Sequence, residues 1–190
     1  LISAKKALQK LVEGNEQFVS GNPVNPNRCH MTRQELILGQ APFAAVLACS
    51  DARTPGEIIF DQGLGDLFMV RIAGNILAEE VIGSLAYAVN ELDVNLIVVM
   101  GHDHCGAVTA ALKDDNECIY IKSLLDRIKP LISDHNTIDD LKKITVRNVK
   151  NVVTQLKTLN LVFNNKIESG KLEITGAYYD LETGIVEFDI

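Results

Sequence analysis

The sequence predicts an α/β protein built on an open, mostly parallel β-sheet flanked by helices, with an N-terminal helical arm and an antiparallel C-terminal edge strand. Three observations carry this. From Phe43 onward, strand-length apolar runs alternate with amphipathic segments, the pattern of a sheet wound with helices. Phe43–Ala48 and Leu96–Met100 are continuously apolar, as strands covered on both faces are. Near the C-terminus, Leu172–Tyr178 and Ile185–Phe188 flank Glu182-Thr183-Gly184, the signature of a hairpin-like turn.

Taken in order, Ser3 is placed to cap a first helix whose Ala4, Leu8, Leu11 and Phe18 recur at helical spacing. Asn15 interrupts that stripe, so the helix is expected to stop near Gly14. Gly21-Asn22-Pro23 and Asn25-Pro26-Asn27 form a turn-rich connector. Residues 1–27 therefore read as an arm and connector, packed either on a partner subunit or back on its own domain. Phe43–Ala48 is the first strand, Pro55–Phe60 a short helix and Leu67–Ala73 a second strand. Glu79–Leu92 follows as a helix with Val81, Leu85, Ala88 and Leu92 on one face. After the Leu96–Met100 strand, a mainly helical stretch from Ile119 to about Leu161 is broken at Pro130. The whole, residues 1–190, is expected to be a single domain without internal repeats.

Bulk properties narrow the function. A chain of 190 residues with 47% hydrophobic and 23% charged residues can bury a sizeable core. A net charge of −7 without clustered basic residues argues against a nucleic-acid partner. No apolar stretch approaches the roughly 20 residues of a membrane span. The four cysteines, Cys29, Cys49, Cys105 and Cys118, contain no Cys-x-x-Cys pair. Cys49 and Cys105 read as metal ligands, Cys29 and Cys118 as free thiols. The chain starts at Leu1 rather than Met, so processing is expected. A cytoplasmic location is expected, with a cleaved signal peptide and a periplasmic location left open.

The chemistry lies where two of the apolar runs end. Cys49-Ser50-Asp51-Ala52-Arg53 closes the first, and His102-Asp103-His104-Cys105-Gly106 closes the run at Leu96–Met100. In open α/β sheets, ligands bind outside the carboxyl ends of the strands. Two thiols and an imidazole at adjacent strand ends can hold zinc with one position open, the arrangement of a catalytic rather than a structural site. A lone cysteine at a strand end is ordinarily a small buried residue, and an isolated Asp–Arg pair a surface ion pair worth under ~1 kcal/mol. It is their coincidence at two strand ends that points to an enzyme.

With these residues in view, the chain resembles the β-class carbonic anhydrases over nearly its full length. The resemblance rests on Cys49-Ser50-Asp51-x-Arg53 and Gly101-His102-x-x-Cys105-Gly106. Asp66-Leu67-Phe68-x-Val70-Arg71, Ala73-Gly74-Asn75, Tyr87-Ala88-Val89 and Gly176-Ala177-Tyr178-Tyr179-Asp180 support it. It implies that Cys49, His102 and Cys105 hold Zn2+ and that Asp51 and Arg53 form a catalytic dyad. It also implies that Gln40, Phe68 and Tyr87 bind substrate, in part from a neighbouring subunit of a homodimer or homotetramer. The implied reaction is reversible hydration of carbon dioxide to bicarbonate by hydroxide held on zinc. Hydrolysis of carbon disulfide or carbonyl sulfide on the same fold is the alternative, and a non-catalytic zinc-binding assembly module a more distant one. Gln40 matches the plant-like branch, in which the fourth metal position stays free. Relatives that close the site carry a Trp where this chain, which has no Trp, has Val46. Ile72 and Ala86 depart from residues common in the family. His104, between the ligands, is expected to lie outside the metal's coordination.

Overall fold

The apolar runs assemble into one five-stranded sheet. The computed structural model describes residues 2–114, 118–159 and 163–190. The strands are β1 (Ala44–Ala48), β2 (Leu67–Arg71), β3 (Leu96–His102), β4 (Glu173–Tyr179) and β5 (Val186–Phe188), in the order β2-β1-β3-β4-β5. All neighbours are parallel except β4 and β5, whose antiparallel pairing sets Tyr179 opposite Val186. Every residue of β1 and β3 is buried, which is why these two segments lack polar alternation.

The helices are α1 (Ala4–Val19), α2 (His30–Glu35), α3 (Gly56–Ile59), α4 (Glu79–Asn90), α5 (Gly106–Lys113), α6 (Ile119–Leu125), α7 (Leu141–Thr158) and α8 (Asn164–Glu168). On one face of the sheet, Leu47, Ile97 and Val99 pack with Leu85 of α4 and Val149 and Val152 of α7. On the other, Val46, Val98 and Met100 pack with Ala7 and Leu11 of α1 and with Ile59 and Phe60. A third cluster, including Ile76, Val108, Leu125, Ile128 and Ile144, surrounds Cys49 and Cys105. Among the described residues no helix is long and apolar enough to cross a membrane.

The first helix departs from expectation in two ways. Ser3 caps it, its hydroxyl accepting the Lys6 N–H at 3.3 Å, but the helix runs past Gly14 to Val19. Gly14 permits close approach rather than a stop: a Cβ there would lie 1.8 Å from the Phe60 carbonyl oxygen. Asn15 is buried, and its amide donates to the carbonyls of Ile59 (3.2 Å) and Gly184 (2.9 Å) while its oxygen accepts the Val186 N–H (2.9 Å). These three bonds offset the cost of burying a polar side chain and tie α1 to α3 and β5. The segment thus packs back on its own domain as one of its layers. Asp61, also buried, accepts the backbone N–H groups of Val24 and Asn25 and fixes the connector to the body.

One strand also ends earlier than its apolar run suggests. β2 ends at Arg71, because residues 73–75 turn through a short 3-10 segment in which Gly74 takes φ +69°. After α6 the chain crosses a 3-10 turn at Lys129–Leu131, where Pro130 sits, before α7 begins at Leu141. The expected helical end near Leu161 lies outside the described residues.

Asn15→Ala should destabilise the protein by about 1–3 kcal/mol, the cost of leaving buried backbone partners unpaired, read as a lower urea midpoint. Deleting residues 1–19 should abolish cooperative unfolding by uncovering one face of the sheet. A truncated chain that melts like the intact one would contradict the assignment of α1 to the core.

Candidate active site

Parallel pairing of β1 with β3 sets Ala48 opposite Met100, so Cys49, one residue past β1, emerges beside His102, the last residue of β3. The chain then turns tightly, with His104 in the left-handed region, and Cys105 arrives as the residue preceding α5. Cys49, His102 and Cys105 are all buried, and one ligand-type atom from each lies within 4.8 Å of the others. The two sulfurs are 4.0 Å apart. Two thiolates on one tetrahedral zinc would stand roughly 3.8 Å apart, whereas a disulfide requires about 2.05 Å. Neither Cys49 nor Cys105 is in a disulfide, and Cys29 is likewise a free, exposed thiol.

Two observations show that a soft metal dication suits this cluster. Both ring nitrogens of His102 are buried without a hydrogen-bond partner, a state that proteins rarely leave uncompensated. The thiols are also mutually frustrated. Cys49 is held well below the ordinary thiol range, first by its hydrogen bond with Cys105, then by His102 and the N–H groups of Asp51 and Gly74, with burial opposing. Cys105 is pushed up, by sharing with Cys49 and by burial, while the Val108 and Ala107 amides at the start of α5 pull the other way. Two thiolates this close cannot both ionise unaided, and a bound cation removes the conflict.

Beside the cluster, Asp51 and Arg53 form a two-pronged pair. Arg53 Nε donates to Asp51 Oδ1 (2.9 Å) and Nη2 to Oδ2 (2.8 Å), and the Arg53 backbone N–H also donates to Oδ1 (2.9 Å). The segment is a turn closed by Thr54 N–H to the Asp51 carbonyl (3.0 Å), not an extended stretch. The turn is what lets a guanidinium two residues away fold back onto the carboxylate. Asp51 Oδ2 lies 4.0 Å from His102 Nε2 and so faces the metal cluster. Arg53 Nη2 also donates to the His104 carbonyl (3.3 Å), linking the two loops. The His104 side chain is exposed, its Nε2 3.8 Å from Asp103 Oδ2, and stays outside the cluster.

Two further residues to which no role was assigned from the sequence shape this loop. Arg71, at the end of β2, donates to the carbonyls of Cys49 (3.0 Å) and Asp51 (2.6 Å). The Thr54 hydroxyl donates to the same two carbonyls. An arginine closing an apolar strand was the available signal for the first.

This geometry meets its counterparts in known proteins. The sequence model of the family described as "Carbonic anhydrase" matches residues 44–186. Carbonic anhydrase 2 of Mycobacterium tuberculosis is 40% identical over 96% of this chain and 90% of its own length. The chain is a β-class carbonic anhydrase by family. A carbonic anhydrase of Mycolicibacterium smegmatis is 38% identical over 98% of this chain and 92% of its own. Among solved structures, the β-carbonic anhydrase CafA of Aspergillus fumigatus is 26% identical and superposes with a TM-score of 0.75, covering 97% of this chain and 89% of that one. Two tetrameric β-carbonic anhydrases of Sordaria macrospora share the fold at a TM-score of 0.75 and 23% identity, over 96% of each chain.

The other three residues expected around the substrate do not join this chain's own cluster. Gln40 is exposed and precedes the amino end of β1, where Phe43 is pinned by its N–H to the Asp66 carbonyl (2.9 Å). β1 alone spans about 16 Å, more than the roughly 10 Å that the three residues from Phe43 back to Gln40 can cover. Phe68 pairs with Ala45, about 13 Å along the strand from Cys49. Its ring meets Tyr87, half-exposed on α4, with centroids 6.3 Å apart. Phe68 and Tyr87 thus form one aromatic pair, away from the three metal-type ligands.

Arg53 holds the Asp51 carboxyl well below the usual carboxylate range, chiefly through its side-chain hydrogen bonds. A lowered folded-state pKa means that the pair contributes stability above the unfolded value of about 3.9, lost only as pH falls through the folded value. In a carbon-13 NMR titration, Asp51 should remain ionised at pH 4, where unpaired aspartates are about half protonated. Arg53→Ala should return its midpoint toward 3.9. An Asp51 midpoint at the ordinary value in the unsubstituted protein would contradict the pairing.

Proposed function

We propose that this protein hydrates carbon dioxide reversibly to bicarbonate at a zinc ion held by Cys49, His102 and Cys105. The observation that carries the reading is a buried two-thiol, one-imidazole cluster with a carboxylate beside it that is already committed to an arginine. Zinc bound there would act as a Lewis acid, lowering the pKa of water so that a nucleophile exists near neutral pH.

The protein's own groups do the rest. Asp51, ionised across the neutral range, is an acceptor only, so it can take a hydrogen bond from the attacking water and aim its lone pair at the substrate carbon. Its depressed pKa makes it a poor proton carrier and a good orienting group. Arg53 occupies both carboxylate oxygens. This favours an open resting state, in which Asp51 would stay on Arg53 rather than turn toward a bound metal. Leaving Arg53 would cost the carboxylate two charge-assisted bonds.

A second copy of the chain completes the site in this reading. Gln40 and the Phe68–Tyr87 pair lie beyond reach of their own cluster, and exposed apolar residues accompany them, Leu38 at 97% and Ile37 at 69% exposure. In a homodimer or a dimer of dimers, one subunit's Gln40 and aromatic pair would line the other's pocket. Gln40 would supply an amide for a substrate oxygen, and the rings an apolar slot for an uncharged molecule.

The protein purified with zinc should hold about one zinc per chain and accelerate carbon dioxide hydration in stopped-flow measurements. Arg53→Ala should lower that rate about 10–100-fold with zinc content unchanged, and Cys49→Ser should lose the metal. Stoichiometric zinc without hydration activity would refute the reading. Light scattering should give at least twice the 20.8 kDa of one chain, and a fully active monomer would refute the shared pocket.

A further inference from the structure

Along α7, Ile144, Asn148 and Val152 recur four residues apart on the buried face, so Asn148 places an amide at 1% exposure within an apolar stripe. Its Nδ2 donates to the carbonyl oxygen of Gly74 at 2.8 Å. The N–H of the same Gly74 donates to Cys49 Sγ at 3.3 Å. Gly74 adopts φ +69°, and a Cβ there would come within 2.8 Å of Ile128 Cδ1 and 3.1 Å of Ala107 Cβ. Only glycine fits, yet glycine is the residue whose backbone is least self-constrained. Something outside the turn has to hold it, and the Asn148 amide reaches its carbonyl.

We propose that Asn148 is a positioning residue for the metal centre, holding Gly74 so that its N–H remains directed at the Cys49 sulfur. The proposal rests on the reading of Cys49 as a metal ligand and extends it to a residue 99 positions away on a different helix. An N–H aimed at a thiolate withdraws charge from it and fixes its direction, the role that outer hydrogen bonds play for metal ligands. Among the described residues Cys49 has two such donors, the N–H groups of Asp51 and Gly74. The Asp51 donor is set by its own turn and needs no help from α7. Asn148 therefore acts on one of the two.

A merely structural role for Asn148 predicts a less stable protein with an unaltered metal centre, so the test reads the sulfur. In full-length protein loaded with cadmium-113 and labelled with nitrogen-15, the Gly74 amide proton should show scalar coupling to the metal through the N–H···S bond. Asn148→Leu keeps the branching at Cγ and removes the donor. A cavity of about 330 Å3 lined in part by Asn148, Ile76, Leu77 and Arg127 adjoins the position, and leucine keeps water from replacing the amide. In this variant the Gly74 coupling should vanish while that of Asp51 persists. With cobalt in place of zinc, the sulfur-to-metal charge-transfer band should move to longer wavelength. Zinc affinity, measured by chelator competition, should fall about 10-fold or more. Asn148→Ala, which admits water, should shift the band in the same direction by less, and serves where the leucine variant does not fold.

Absence of Gly74 coupling in the unsubstituted protein would overturn the proposal, as would coupling and charge-transfer bands left unchanged by the substitutions. Failure of the unsubstituted chain to bind one metal ion would instead remove the metal reading itself, and this inference with it.

Discussion

Because β1 and β3 pair in parallel with Ala48 opposite Met100, two loops that are far apart in sequence leave the sheet side by side. Cys49 then stands 4.0 Å from Cys105 and beside His102 with no long-range adjustment of either loop. Everything else in the site presupposes that register. Shifting β1 by one residue would turn its apolar side chains to the opposite faces and carry Cys49 about 3.3 Å along the sheet. The full burial of both strands prevents such a slip, so the hydrophobic core sets the geometry of the polar site.

The same packing creates the demand for a cation. Two thiols and an imidazole are held buried side by side, with the imidazole nitrogens unpaired and the thiols competing for one proton. Asp51 is kept apart from this competition because Arg53 holds both its oxygens. The carboxylate lies 4.0 Å from the imidazole of the cluster, and both its oxygens already have a partner. Arg71 and Thr54 fix the backbone of that loop, so the pair sits on a stiff support.

Much of this was legible in the chain because it depends on short-range pattern. Continuous apolar runs named the central strands, and the breaks into Cys-Ser-Asp and His-Asp-His-Cys marked where they end. What escaped depends on partners distant in sequence. Asn15 looked like a helix breaker because the groups satisfying it lie at residues 59, 184 and 186. Asn148 carried a signal, a polar residue at an apolar spacing, but its meaning appears only once Gly74 is placed against it. The resemblance already placed Gln40, Phe68 and Tyr87 in part on a neighbouring subunit; the structure adds the strand's length that separates them from their own chain's metal-type ligands.

The coordination of the metal is the property on which the proposed chemistry depends most directly. X-ray absorption at the zinc edge, on the protein as purified at neutral pH, would read that shell directly. The expected shell is two sulfurs at about 2.3 Å, one imidazole nitrogen at about 2.0–2.1 Å and one further light atom that exchanges with added anions. A shell without two sulfurs, or a fourth position filled by a protein carboxylate that anions fail to displace, would contradict it.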